Sequence, residues 1–139
     1  GQALLAMATA SYALRDNDNH YLEQVELEAA RAQLQWALDN AGSDVIRETA
    51  RLRLVRVLIA EGKYADAEAM INQAEASEAF EPLYRELRGD IHFARGDTAS
   101  ARAEYEHALA AMTPDMPERQ LVQLKYENAA MPEAGGAGE

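Results

Sequence analysis

The chain has 139 residues, no cysteine, and 24 acidic against 13 basic residues, a formal net charge of −11. That length predicts one domain, and the lack of cysteine excludes disulfides, thiolate catalysis and zinc–thiolate sites while leaving the compartment open. The negative charge repels nucleic acid and anionic membrane surfaces at long range, and it favours solubility or a basic or apolar partner.

Gly1-Gln2 leads directly into an apolar helical pattern without methionine, as expected of a domain cut from a longer protein whose targeting or anchoring segment lies outside it. Ala3 to Leu14 contains Thr9 and Ser11. It is too short and too polar to span a bilayer, which needs about 20 apolar residues. It also lacks the charged start and cleavage site of a signal peptide. Helical periodicity predicts a first helix over 3–16, closed by Asp16-Asn17-Asp18-Asn19. A second runs over 21–39, with Leu27, Ala30, Leu34, Ala37 and Leu38 on one face. Asn40-Ala41-Gly42 stops it, and Ser43 or Asp44 caps a third over 44–61 that ends at Gly62. Helices over 64–76, 81–95, 98–112 (capped by Asp97) and 118–129 follow, and no strand is expected. The last helix should bury Leu121, Leu124 and Tyr126 against the preceding pair. The stretch from Met131 to Glu139 has no apolar periodicity and reads as a disordered Gly-rich tail, so the expected division is a helical domain over 1–130 and a tail over 131–139.

One pattern organises these elements. Gly62, Ala67, Ile71 and Ala74 recur 34 residues later as Gly96, Ala101, Tyr105 and Ala108, and Ala30, Leu34 and Ala37 form a weaker upstream copy. A 34-residue period is that of tetratricopeptide repeats, each a helix–turn–helix. Glycine ends the first helix of a pair where a left-handed residue is needed, and the alanines let two helices approach closely. The expected fold is therefore all-α, a tetratricopeptide-like right-handed stack of three helix–turn–helix repeats with a C-terminal capping helix. Such a scaffold points to binding rather than chemistry.

Signals for chemistry are poor, and no enzyme, metal or cofactor is expected. His20, His92 and His107 form no pair at helical spacing, and no HExxH, G-x-S-x-G or P-loop pattern occurs. Asp16-Asn17-Asp18-Asn19 resembles a calcium loop only in composition, since Tyr21 and Leu27 stand where that loop needs glycine and glutamate. Glu23, Glu26 and Glu28 open a helix, where acidic residues suit the macrodipole.

Counting back from Ala67 and Ala101 gives the positions that line the concave face of such an array. They are Thr49, Leu52, Arg56 and Ile59 in the second repeat, and Leu83, Glu86, Asp90 and Phe93 in the third. The Lys, Asn and Arg set with which some of these domains clamp an acidic C-terminus is absent. An apolar groove with acidic edges suits an extended or helical partner segment carrying basic and hydrophobic residues; the alternative is that terminal helices fill it. Trp36, the single tryptophan, is either packed against the first loop or an exposed anchor for a partner.

The run Leu87-Arg88-Gly89-Asp90, Ala94-Arg95-Gly96-Asp97, Ala101-Arg102-Ala103 resembles the signature of the YfgM family of ancillary SecYEG translocon subunits. Ala29 to Leu34, Ala50 to Val57 and the closing Leu124-Lys125-Tyr126-Glu127-Asn128 fit the same family. The resemblance implies an inner-membrane protein with a single N-terminal anchor and a periplasmic tetratricopeptide-like domain. It also implies association with SecYEG and the periplasmic chaperone PpiD in handling newly translocated proteins. The alternative is a generic tetratricopeptide scaffold of another assembly.

Overall fold

A computed structural model describes residues 2–3, 20–75 and 77–130, and the elements it holds there are helices with no strand among the described residues. The six are α1 (His20–Asp39), α2 (Asp44–Ala60), α3 (Tyr64–Gln73), α4 (Glu81–Ala94), α5 (Thr98–Ala111) and α6 (Arg119–Ala130). The expected helix over 3–16 and its closing turn, apart from Ala3, lie outside the described residues, as does the tail from Met131. Contacts cluster into two compact units, Gly1–Ala76 and Ser77–Glu139.

In the first unit α1 packs on α2 and α2 on α3. Leu27, Ala30, Leu34 and Ala37 form the buried face of α1, with Leu34 and Ala37 fully excluded from solvent. Their i, i+3, i+7, i+10 spacing is why this segment is a helix with one apolar side. Ser43 caps α2 by accepting from the Ile46 amide at 3.2 Å, so of the two expected caps the serine takes the role. Gly62 then adopts φ 77°, the left-handed turn that lets Tyr64 start the return helix. Ala67, with no exposure, is buried in the first turn of α3. Arg31 Nε donates to Glu61 Oε1 at 3.0 Å, tying α1 to the end of α2.

The second unit repeats the design. Pro82 sits in the first turn of α4, where its missing N–H costs nothing. Gly96 turns the chain at φ 85°, and Asp97 caps α5 by accepting from the Ser100 amide at 3.1 Å. Hydrogen bonding from the Ser100 side chain, and then from its amide, holds the Asp97 carboxyl below the usual aspartate range. Ala101, Tyr105 and Ala108 are the buried face of α5 against α4. Gly89 is what permits the approach: a Cβ there would lie 2.5 Å from Tyr105 Cε1. Arg119 Nη1 then donates to the Leu109 carbonyl at 2.7 Å and the Met112 carbonyl at 3.3 Å. It gives the Met112 carbonyl a partner at the end of α5, adds a second donor to the Leu109 carbonyl, which the Met112 amide already reaches, and fixes where α6 begins.

α6 does cap α5, but not with the face the sequence predicts. Leu121 and Leu124 are 51% and 56% exposed, whereas Val122 and Ala129 are buried. Tyr126 is half-buried, its ring 5.0 Å from the Arg102 guanidinium, which also donates to its hydroxyl at 3.0 Å. The correction has an electrostatic cause. The inner side of α6 must present Lys125 to two carboxylates on α4, and the helix rotates to satisfy them.

Candidate functional site

The concave-face positions fall into two sets, one on each unit. On α2, Leu52 is buried, and Thr49, Arg56 and Ile59 are half-buried. Burial, and then the neighbouring charge of Arg56, lower the pKa of Arg53 from its ordinary value. The α2 set is therefore an apolar strip with paired guanidiniums alongside. On α4, Leu83 and Glu86 are buried, Asp90 is half-buried and Phe93 is 40% exposed.

Glu86 and Asp90 lie one turn apart and share a single ammonium. Lys125 Nζ of α6 donates to Glu86 Oε2 at 2.7 Å and to Asp90 Oδ2 at 2.9 Å. The other Asp90 oxygen accepts from the Tyr105 hydroxyl at 2.7 Å. Three helices thus meet at one polar cluster inside an otherwise apolar unit. Burial alone would lower the Lys125 pKa, but the Asp90 and Glu86 carboxylates outweigh it and hold it above the usual lysine value. Burial, then the Asp90 charge and hydrogen bond, push the Tyr105 hydroxyl far above its usual range. Both groups stay protonated at neutral pH. A lysine used as a base or nucleophile needs the opposite shift, so the cluster is a lock between helices and supplies no chemistry.

Of the residues singled out from the sequence, the structure brings Glu86 and Asp90 together and fills the space before them with Lys125. Phe93 lies on the exposed side of α4, and Trp36 is 43% exposed on α1. Lys125 and Tyr105 carry the cluster and were not foreseen in that role. No local signal marks that role, because the cation that the two buried carboxylates need comes from another helix 35–39 residues away. Among the described residues no group of three or more His, Cys, Asp or Glu could hold a metal ion.

Paired helices, left-handed glycines at a 34-residue interval and alanines at the closest approaches define a helical-repeat scaffold. The chain belongs to the family of tetratricopeptide repeat-like domains, whose model matches residues 7–131. This is a fold of non-enzymatic protein-interaction scaffolds. Three curated relatives are similar to it, each named an ancillary SecYEG translocon subunit, as the LRG–GD–AR run led one to expect. The relative from Neisseria gonorrhoeae is 32% identical over 101 residues, 73% of this chain and 48% of its own length. That from Haemophilus influenzae is 31% identical over 127 residues, 91% of this chain and 61% of its own. That from Escherichia coli is 30% identical over 112 residues, 80% and 53% of the two chains. The chain thus spans about half to three-fifths of the length of these relatives. No solved structure matches it. Among the described residues no helix is long and apolar enough to cross a membrane.

Proposed function

We propose that this chain is the tetratricopeptide domain of an ancillary subunit of the SecYEG translocon, binding protein partners as they meet the translocon. The observation that carries the reading is the shared name of three relatives whose similarity reaches across as much as 91% of the chain. In this reading a single N-terminal segment anchors the protein in the inner membrane, and the domain lies in the periplasm. It works there beside the chaperone PpiD on newly translocated proteins. Each unit offers its own partner-binding positions in this reading, Leu52, Arg56 and Ile59 on the first and Leu83 and Phe93 on the second, with Glu86 and Asp90 engaged by Lys125 and holding α4 to α6. Phe93 is the member of the set with the most exposed apolar surface, the kind of side chain that anchors an interface.

The test is co-purification of SecYEG with the full-length protein extracted from its own membranes, comparing wild type with Phe93→Asp. SecYEG should accompany the wild type and be depleted with the variant, whose helix content stays the same. A wild type recovered without SecYEG would refute the translocon assignment. Equal recovery with both would refute the role of Phe93.

A further inference from the structure

The cations of the first unit are not all matched. Arg47 pairs with Asp44 at 2.6 Å and Arg51 with Glu48 at 3.8 Å, each within α2. Glu61 takes both Arg31, at 3.0 Å, and Lys63, at 3.5 Å. Of the described arginines and lysines of this unit, Arg53 and Arg56 remain. Among the described residues no carboxylate of α1, α2 or α3 lies within ion-pair distance of either, in a chain with 24 acidic and 13 basic residues. The two stand at i and i+3, where side chains on a helix are neighbours. With Val45, Thr49 and Ala60 they form one strip along α2, at i, i+4, i+8, i+11 and i+15. Its ends are exposed, Val45 by 66%, and its middle is half-buried. By the same spacing Asp44 and Glu48 fall outside it, so the strip carries positive charge alone.

Two guanidiniums side by side, partly out of water and without a counter-charge, cost free energy. Burial and the charge of Arg56 accordingly lower the Arg53 pKa. A carboxylate placed between them removes that cost, and the planar fork of each arginine can give it two parallel N–H donors. The charged concave positions of the second unit make no such demand, since Glu86 and Asp90 already share Lys125. Of the charged concave positions, Arg56 is therefore the one still without a partner, and it calls for an acidic group where the sequence pattern suggested a basic one.

We propose that Arg53 and Arg56 together bind an aspartate or glutamate side chain of a partner protein, on a segment whose flanking apolar residues pack along Val45 and Ile59. The inference rests on reading the α2 positions as partner-binding, but not on which protein the partner is. The net charge of −11 opposes an anionic lipid surface as the source of the acidic group.

The probe is a short synthetic peptide of leucine and glutamate with both ends blocked, carrying a fluorophore, with a leucine and glutamine counterpart as control. Each is titrated with the full chain at physiological ionic strength and followed by anisotropy. The glutamate peptide should bind saturably, and the glutamine peptide roughly tenfold more weakly or not at all. Arg53→Gln and Arg56→Gln should each weaken the glutamate peptide by roughly tenfold. Both should leave thermal unfolding of the free chain unchanged or raised, because each relieves the repulsion. Arg47→Gln removes the same charge from a matched pair elsewhere on α2 and should leave binding unchanged. Equal binding of the two peptides, or no saturable binding of the glutamate peptide, overturns the proposal. So does wild-type affinity in the folded double variant of Arg53 and Arg56, or equal weakening by Arg47→Gln. A fall in Tm in both single variants would show instead that the guanidiniums hold the fold. Flotation with phosphatidylglycerol vesicles, lost in the double variant and without peptide binding, would show that they take a lipid headgroup. No translocon component enters this assay, so its failure leaves the translocon assignment to be judged by the co-purification alone.

Discussion

Replacing Lys125 by methionine removes the ammonium that Glu86 and Asp90 share while keeping the length and apolar stem of the side chain. The Glu86 side chain is 3% exposed, and its Oε1 has no hydrogen-bond partner, so the variant leaves a buried carboxylate with nothing to neutralise it. Breaking a fully buried pair in this way costs about 3–5 kcal/mol. Lys125 is 28% and Asp90 21% exposed, so water relieves part of the loss, and the expectation falls at the low end, about 3 kcal/mol. For a chain of this size that corresponds to a fall in Tm of roughly 10 °C. The assay is thermal and urea unfolding at pH 7 followed by circular dichroism. Adding Glu86→Leu to Lys125→Met should recover most of the loss, because apolar replacement of both partners of a buried pair is often close to neutral. A single variant within about 0.5 kcal/mol of wild type, or a double variant no more stable than the single, would refute the cluster as the lock between α4 and α6.

Three further outcomes follow from the same geometry. Gly89→Ala sets a methyl group 2.5 Å from the buried Tyr105 ring; it should destabilise by about 1–3 kcal/mol in denaturant unfolding. Gly96→Ala meets no steric obstacle but must hold φ 85°, at a cost of about 1–2 kcal/mol in the same measurement. Tyr105 and Lys125 both have pKa values raised by the fold, whereas the unfolded chain loses these protons near pH 10 and 10.4. The folded state therefore binds more protons above about pH 10, and stability should be fully present below that point and decline as pH rises beyond it. Tyr105→Phe should make the alkaline decline in a urea midpoint series shallower, and an unchanged profile would contradict the assignment.

Much of the fold is legible from local chemistry alone. Ser43, Asp97 and the two left-handed glycines announce helix ends through groups within three or four residues, and the 34-residue spacing of small residues reports close approaches that each repeat must make. The end of α3 was less legible: it stops at Gln73 rather than near residue 76, with no glycine in its closing residues to mark the point. The inner face of α6 was misjudged for a different reason. Apolar spacing favours Leu121 and Leu124, but a buried charge outranks two leucines, and the demand for that charge comes from Glu86 and Asp90, some 35–39 residues earlier. Nothing local to α6 records it. The same distance hides the fate of the acidic concave positions, since a carboxylate on a helix reads alike whether it faces water or a lysine from another element.

The measurement that bears most directly on the translocon assignment is photo-crosslinking in living cells from Phe93 of the full-length protein. Crosslinks to SecY, SecE or SecG are the predicted result. Crosslinks to soluble cytosolic proteins, with none to the translocon, would contradict it.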